Sequence, residues 1–129
     1  MSYYFNKVLT GKGFDEAIEL VTAALKTEGF GVLSEIDVAA TLKNRIGADI
    51  RKYKILGACN PHFAYKALQA EDKIGVFLPC NVVVQENEDG AIDVAVVDPV
   101  ASMISVNNES LSEFASEIQQ KLKRVISSL

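Results

Sequence analysis

Tryptophan is missing from this chain of 129 residues, histidine occurs once (His62), cysteine twice (Cys59 and Cys80) and proline three times. A single histidine leaves no persuasive Ser/His/Asp arrangement for nucleophilic catalysis. Two cysteines are too few for a disulfide framework, and in a reducing compartment they read as free thiols. Long apolar runs are lacking too. The most apolar stretch, Ile74 to Val84, is broken by Pro79, Cys80 and Asn81, and it falls well short of the ~20 residues of a membrane helix. Residues Met1 to Lys7 carry no cationic start ahead of an apolar core, so no secretory signal is expected. A net charge of −4 gives no general basic excess, which argues against a nucleic-acid partner. Gly11-Lys12-Gly13 has neither the glycine spacing nor the following Lys-Ser/Thr pair of a phosphate loop. These absences lead to the expectation of a cytoplasmic protein with neither membrane nor nucleic acid as partner.

What is present is a globular composition, half apolar and about a quarter charged, in a chain of single-domain size, residues 1–129. Tyr3 to Leu9 reads as a strand. Phe14, Ile18, Val21 and Leu25 then recur at helical spacing, and Gly29 closes the helix. Phe30 to Ile36 is a second strand, and Asp37 caps a short helix bearing Val38, Leu42 and Ile46. Ile50 to Ala58 is a third strand. Asn60-Pro61 is a strong helix start, pairing a capping amide with a proline suited to the first helical position. Ile74, Val76 and Leu78 are expected to begin a fourth strand, bulged or at an edge at Pro79, which resumes from Asn81 to Gln85. Asn87-Glu88-Asp89-Gly90 is a turn and Ala91 to Val97 the returning strand. Ser110-Leu111-Ser112-Glu113 has the form of a capping box for a last helix carrying Phe114, Ile118, Leu122 and Val125. The reading is an α+β domain: a single sheet of about five strands, two longer helices on one face, and shorter helices in the connections.

Chemistry concentrates in two triplets, Cys59-Asn60-Pro61 and Pro79-Cys80-Asn81. Together with Gly31-Val32-Leu33-Ser34-Glu35-Ile36-Asp37, Ile55-Leu56-Gly57-Ala58, Val82-Val83-Val84 and Asp98-Pro99 with Met103, they give the chain a pattern that resembles domain-of-unknown-function family 302. The resemblance implies a small α+β fold similar to the TATA-binding-protein-like class, and a homodimer. It implies no established reaction, and it leaves any cofactor unknown. It supports Glu35, Asp37, Cys59, Asn60, Cys80, Asn81 and Asp98 as a ligand-binding set without assigning roles, and His62 lies outside its motif.

In the hairpin, facing Glu86 with Ala91 places Asp98 opposite Pro79 and beside Cys80. Whether Cys59 joins them depends on topology. Parallel third and fourth strands would bring both cysteines to neighbouring carboxyl ends. Antiparallel strands, with the fourth beginning near Ile74, would part them by several residues at ~3.3 Å each. Cys59, just before a helix N-terminus, suits a reactive thiol; the simpler reading of either cysteine is a small buried apolar residue. Asn60 is explained by capping, whereas Asn81 interrupts an apolar run and needs hydrogen-bond partners. Cys59-x-x-His62 has a spacing compatible with metal ligation, with Cys80, Asp98 or Glu35 to complete a shell. Glu35 and Asp37 could act as paired carboxylates, or as a solvated strand end and a helix cap. Three readings follow. The first is a binding module holding a small ligand or soft metal at a Cys/Asn/Asp edge. The second is a thiol enzyme or sulfur carrier using Cys59, and the third a structural or regulatory dimeric subunit.

Overall fold

The computed structural model describes residues 2–129. Its strands are β1 (Tyr4–Leu9), β2 (Gly31–Asp37), β3 (Tyr53–Cys59), β4 (Cys80–Glu86) and β5 (Ile92–Val97). The helices are α1 (Phe14–Thr27), α2 (Val38–Ile46), α3 (Pro61–Ala70), α4 (Pro99–Met103) and α5 (Glu109–Ser127). The strands form one antiparallel sheet in the order β1-β5-β4-β3-β2. This is the α+β architecture expected, with α1 and α5 as the two longer helices.

Strand alternation decides which face is covered. Val82 and Val84 on β4 pair with Val96 and Val94 on β5, and all four are buried. Against them lie Phe14, Ala17, Val21 and Leu25 of α1 and Leu111, Ala115, Ile118, Leu122, Val125 and Ile126 of α5. The helical spacing of these residues puts one stripe of each helix on the sheet. Lys7 Nζ donates to the carbonyls of Ser127 and Leu129, placing a cation where the α5 dipole is negative.

Three expectations are corrected. Ile74–Phe77 is a 3-10 turn rather than the start of β4. The Val76 and Leu78 N–H groups bond back to the Lys73 and Gly75 carbonyls, and only Ile74 of the four residues is buried. The strand therefore begins at Cys80, after a cis Leu78-Pro79 bond. The hairpin is one residue out of the expected register, with Glu86 facing Ile92. Ala91 is taken up by the turn: its carbonyl accepts from Asn87 N and its N–H donates to Asp89 Oδ1. The α5 cap is Asn108, not Ser110. Its Oδ1 accepts from Ser110 N, and its Nδ2 donates to the Ala70 carbonyl, tying α5 to the end of α3.

The covered face predicts its own mutational profile. Leu122→Ala, at a fully buried position, should lower the unfolding free energy by about 2–5 kcal/mol in urea titration. Ile46→Ala, 73% exposed on α2, should change it by no more than about 0.5 kcal/mol.

Candidate functional site

At one corner of the sheet three local features meet. β3 ends at Cys59, β4 starts at Cys80, and β2 slips register between Val32 and Ser34. The slip leaves Leu33 as the extra residue, 72% exposed; such bulges re-aim side chains and are common beside functional sites. Ala58 pairs with Cys80 across the antiparallel ladder. The two cysteines are therefore neighbours although their strands are antiparallel, because the shortened β4 begins level with the end of β3. Antiparallel pairing does not part them.

Between these elements and α3 lies a cleft of about 290 Å³. Phe30, Leu33, Ala58, Phe63, Ala64, Leu78 and Pro79 make its walls apolar, and Ser34, Asn60 and both cysteines supply the polar and sulfur atoms. Asn60 caps α3, its Oδ1 accepting from Phe63 N at 3.3 Å, which fixes the turn that carries Cys59 into the cleft. Gly57 has a steric role: a methyl group there would collide with Ser34 Oγ and Pro79 Cγ. Both cysteines are free thiols, Cys59 half-buried and Cys80 buried. Burial, and then the neighbouring Cys59, pushes the Cys80 thiol up from 9.0 to about 11. At neutral pH Cys80 presents a neutral thiol, a poor nucleophile.

The other candidate residues lie elsewhere. Asn81 points to the opposite face of the sheet, exposed in a second depression with Tyr4, Tyr53, Val83, Gln85 and Asp93. Strand alternation turned it away from buried Cys80 and Val82, so its amide is hydrated instead of buried. Glu35 pairs with Lys54 at 2.8 Å, and that hydrogen bond holds the lysine above its ordinary value. Asp37 caps α2 through Ala40 N. Asp98 caps the short helix α4: its Oδ1 accepts from Val100 N and from Gln119 Nε2, each at 3.0 Å. His62 is exposed at the start of α3, beside a separate depression with Lys66, Phe114, Glu117 and Lys121. Among the described residues no three His, Cys, Asp or Glu side chains gather as a metal-ligand group. Phe30, Ser34, Phe63, Ala64 and Leu78 were not singled out from the sequence. The usable signal was Gly57, since glycine inside a strand marks close approach of another group.

The model of the domain of unknown function DUF302 matches residues 5–129. The chain belongs to the DUF302 family. The crystal structure of an uncharacterized conserved DUF302 protein from Bacillus stearothermophilus is similar over 98% of both chains, with 28% identity and a TM-score of 0.90. No curated protein matches the chain. Across this DUF302 chain no described helix is long and apolar enough to cross a membrane.

The raised Cys80 value sets a pH dependence with a definite sign. The folded state holds the thiol proton more tightly than the unfolded chain does. The resulting stability is fully present below the unfolded value and is lost as pH rises through the folded one. Urea titrations of the wild type and Cys80→Ala should therefore run parallel up to about pH 8.5. Between about pH 9 and 11 the wild type should lose stability relative to the variant, by roughly 2–3 kcal/mol. A constant difference across that range would contradict a buried thiol.

Proposed function

We propose that this DUF302 domain is a binding module whose ligand is a small, mostly apolar molecule held in the cleft between β2, β3, β4 and α3. The observation that carries the reading is the cleft itself: apolar walls, two adjacent free thiols, and the Asn60 cap at one end. A few polar groups converging in an apolar concavity are what small-molecule sites provide. The neutral Cys80 thiol favours holding over reacting, since a soft, weakly polar S–H fits an apolar ligand and is a weak nucleophile. The four acidic or amide candidates Glu35, Asp37, Asn81 and Asp98 support the fold or other surfaces, so the ligand needs no complementary charge. A reducing compartment such as the cytoplasm would keep both thiols free.

Thiol chemistry at Cys59 is the second reading. It is favoured by one observation: Cys59 is half-buried on the cleft wall, directly before the capped N-terminus of α3.

Two measurements test these readings. Native mass spectrometry of untagged protein should show a non-covalent mass on each 14.0 kDa chain. That mass should be absent from Ala64→Phe, which fills the cleft from its α3 wall while the melting temperature stays within a few degrees. A bare wild-type chain, or retention by a folded Ala64→Phe, would contradict the binding reading. Iodoacetamide at pH 7 should modify Cys59 at least tenfold faster than Cys80. Modification of Cys59 no faster than a free cysteine would remove the second reading.

A further inference from the structure

The sheet face opposite the helices holds a depression of about 390 Å³, within the ~300–1,000 Å³ typical of small-molecule sites. We propose that it is a second binding site, for an organic cation whose ammonium group meets Asp93 and whose apolar body lies over Val83 and Ala95. The ladder places these groups. Tyr4 faces Val97 at one end, Val83 faces Ala95 in the middle, and at the other end Gln85 faces both Tyr53 and Asp93. Ala95 is the smallest side chain in its cross-strand row, between Asn6 and Val83, and it lowers the floor there. From Val97 back to Asp93 along β5 is a run of about 14 Å, room for a ring and a short tether.

The charge of the lining selects the occupant. Asp93 is half-buried, and Asn6 Nδ2 donates to its Oδ1 at 3.1 Å. That hydrogen bond orients the carboxylate and leaves its negative charge in place. Among the described residues no lysine, arginine or histidine pairs with Asp93; the ion pairs go to Glu16, Asp49, Glu35, Asp72 and Glu28. The aromatic rings are divided in the same way. Lys52, Lys66 and Lys123 lie over Phe14, Phe114 and Phe5, and among the described residues no cation lies over Tyr3, Tyr4 or Tyr53. The face of a tyrosine ring attracts an ammonium group, so these rings extend the preference set by Asp93. Arg51 reaches Gln85 Oε1 from the margin at 3.5 Å, and no cationic side chain lines the depression. A phosphorylated ligand would therefore meet the Asp93 carboxylate with nothing to offset the repulsion. The net charge of −4 adds a general attraction for cations.

NMR titration at neutral pH with tryptamine tests the proposal, and indole propionate, the same ring carrying a carboxylate, is its control. Tryptamine should shift the Val83 and Ala95 methyl resonances saturably, with half-saturation at about 0.1–10 mM. The propionate should leave them unmoved. Raising the salt concentration should weaken tryptamine binding. Asp93→Asn keeps the shape of the side chain and removes its charge, so it should weaken binding about fivefold with the melting transition unchanged. Val83 and Ala95 methyls that do not respond to tryptamine, whether for lack of affinity or because another chain covers the face, would overturn the proposal. So would an equal response to the propionate, or a folded Asp93→Asn that binds tryptamine undiminished. Leu33 and Leu78 report on the cleft in the same spectra, so either assignment can fail alone.

Discussion

Ala58 stands across from Cys80 in the antiparallel β3–β4 ladder, and the position of the cleft follows from that pairing. It fixes where β4 begins, brings the second cysteine level with the first, and leaves α3 to close one side of the gap. Gly57, one residue earlier, is the tightest point of the corner. There the absence of a side chain lets Ser34 and Pro79 approach from two directions. Shift the ladder by one residue and every side chain on β4 would change face, sending Cys80 into solvent and Asn81 into the core.

That alternation also divides the molecule's work between two surfaces. The covered face carries the valines of β4 and β5 and the apolar stripes of α1 and α5, which supply the stability. The uncovered face carries a different set, Ala95, Val83, Ile55 and Ile36, whose apolar character the packing of one chain does not use. The cleft sits where the two regimes meet, at the end of the sheet. Ala58 and Cys80 from the covered side and Ser34 and Pro79 from around Gly57 can share one cavity there.

Periodic apolar residues made most of the fold legible. The α1 and α5 stripes and the hairpin around Gly90 are strong local signals, and Asn60-Pro61 and Asp37 cap the helices that their chemistry suggests. The errors fall where tertiary contacts override local pattern. Ile74-Gly75-Val76-Phe77 is apolar enough for a strand, yet its amides close a 3-10 turn because a single residue, Ile74, reaches the core. Asn108 displaced Ser110 as the α5 cap because its amide also holds the Ala70 carbonyl, 38 residues away. At the site, Cys59, Asn60 and Cys80 were legible as unusual side chains at element ends. The apolar wall was not, because Leu33, Phe63 and Leu78 look like ordinary core or strand residues until a bulge and a helix bring them together.

The central claim is that the corner holding Cys59 and Cys80 accepts a small apolar molecule. Titration with indole, followed by the side-chain methyl resonances in NMR, addresses it most directly. The account predicts saturable shifts at Leu33, Ala58, Ala64 and Leu78, with Val83 and Ala95 on the opposite face unmoved. Absence of saturation at the first group, or shifts confined to the second, would contradict it.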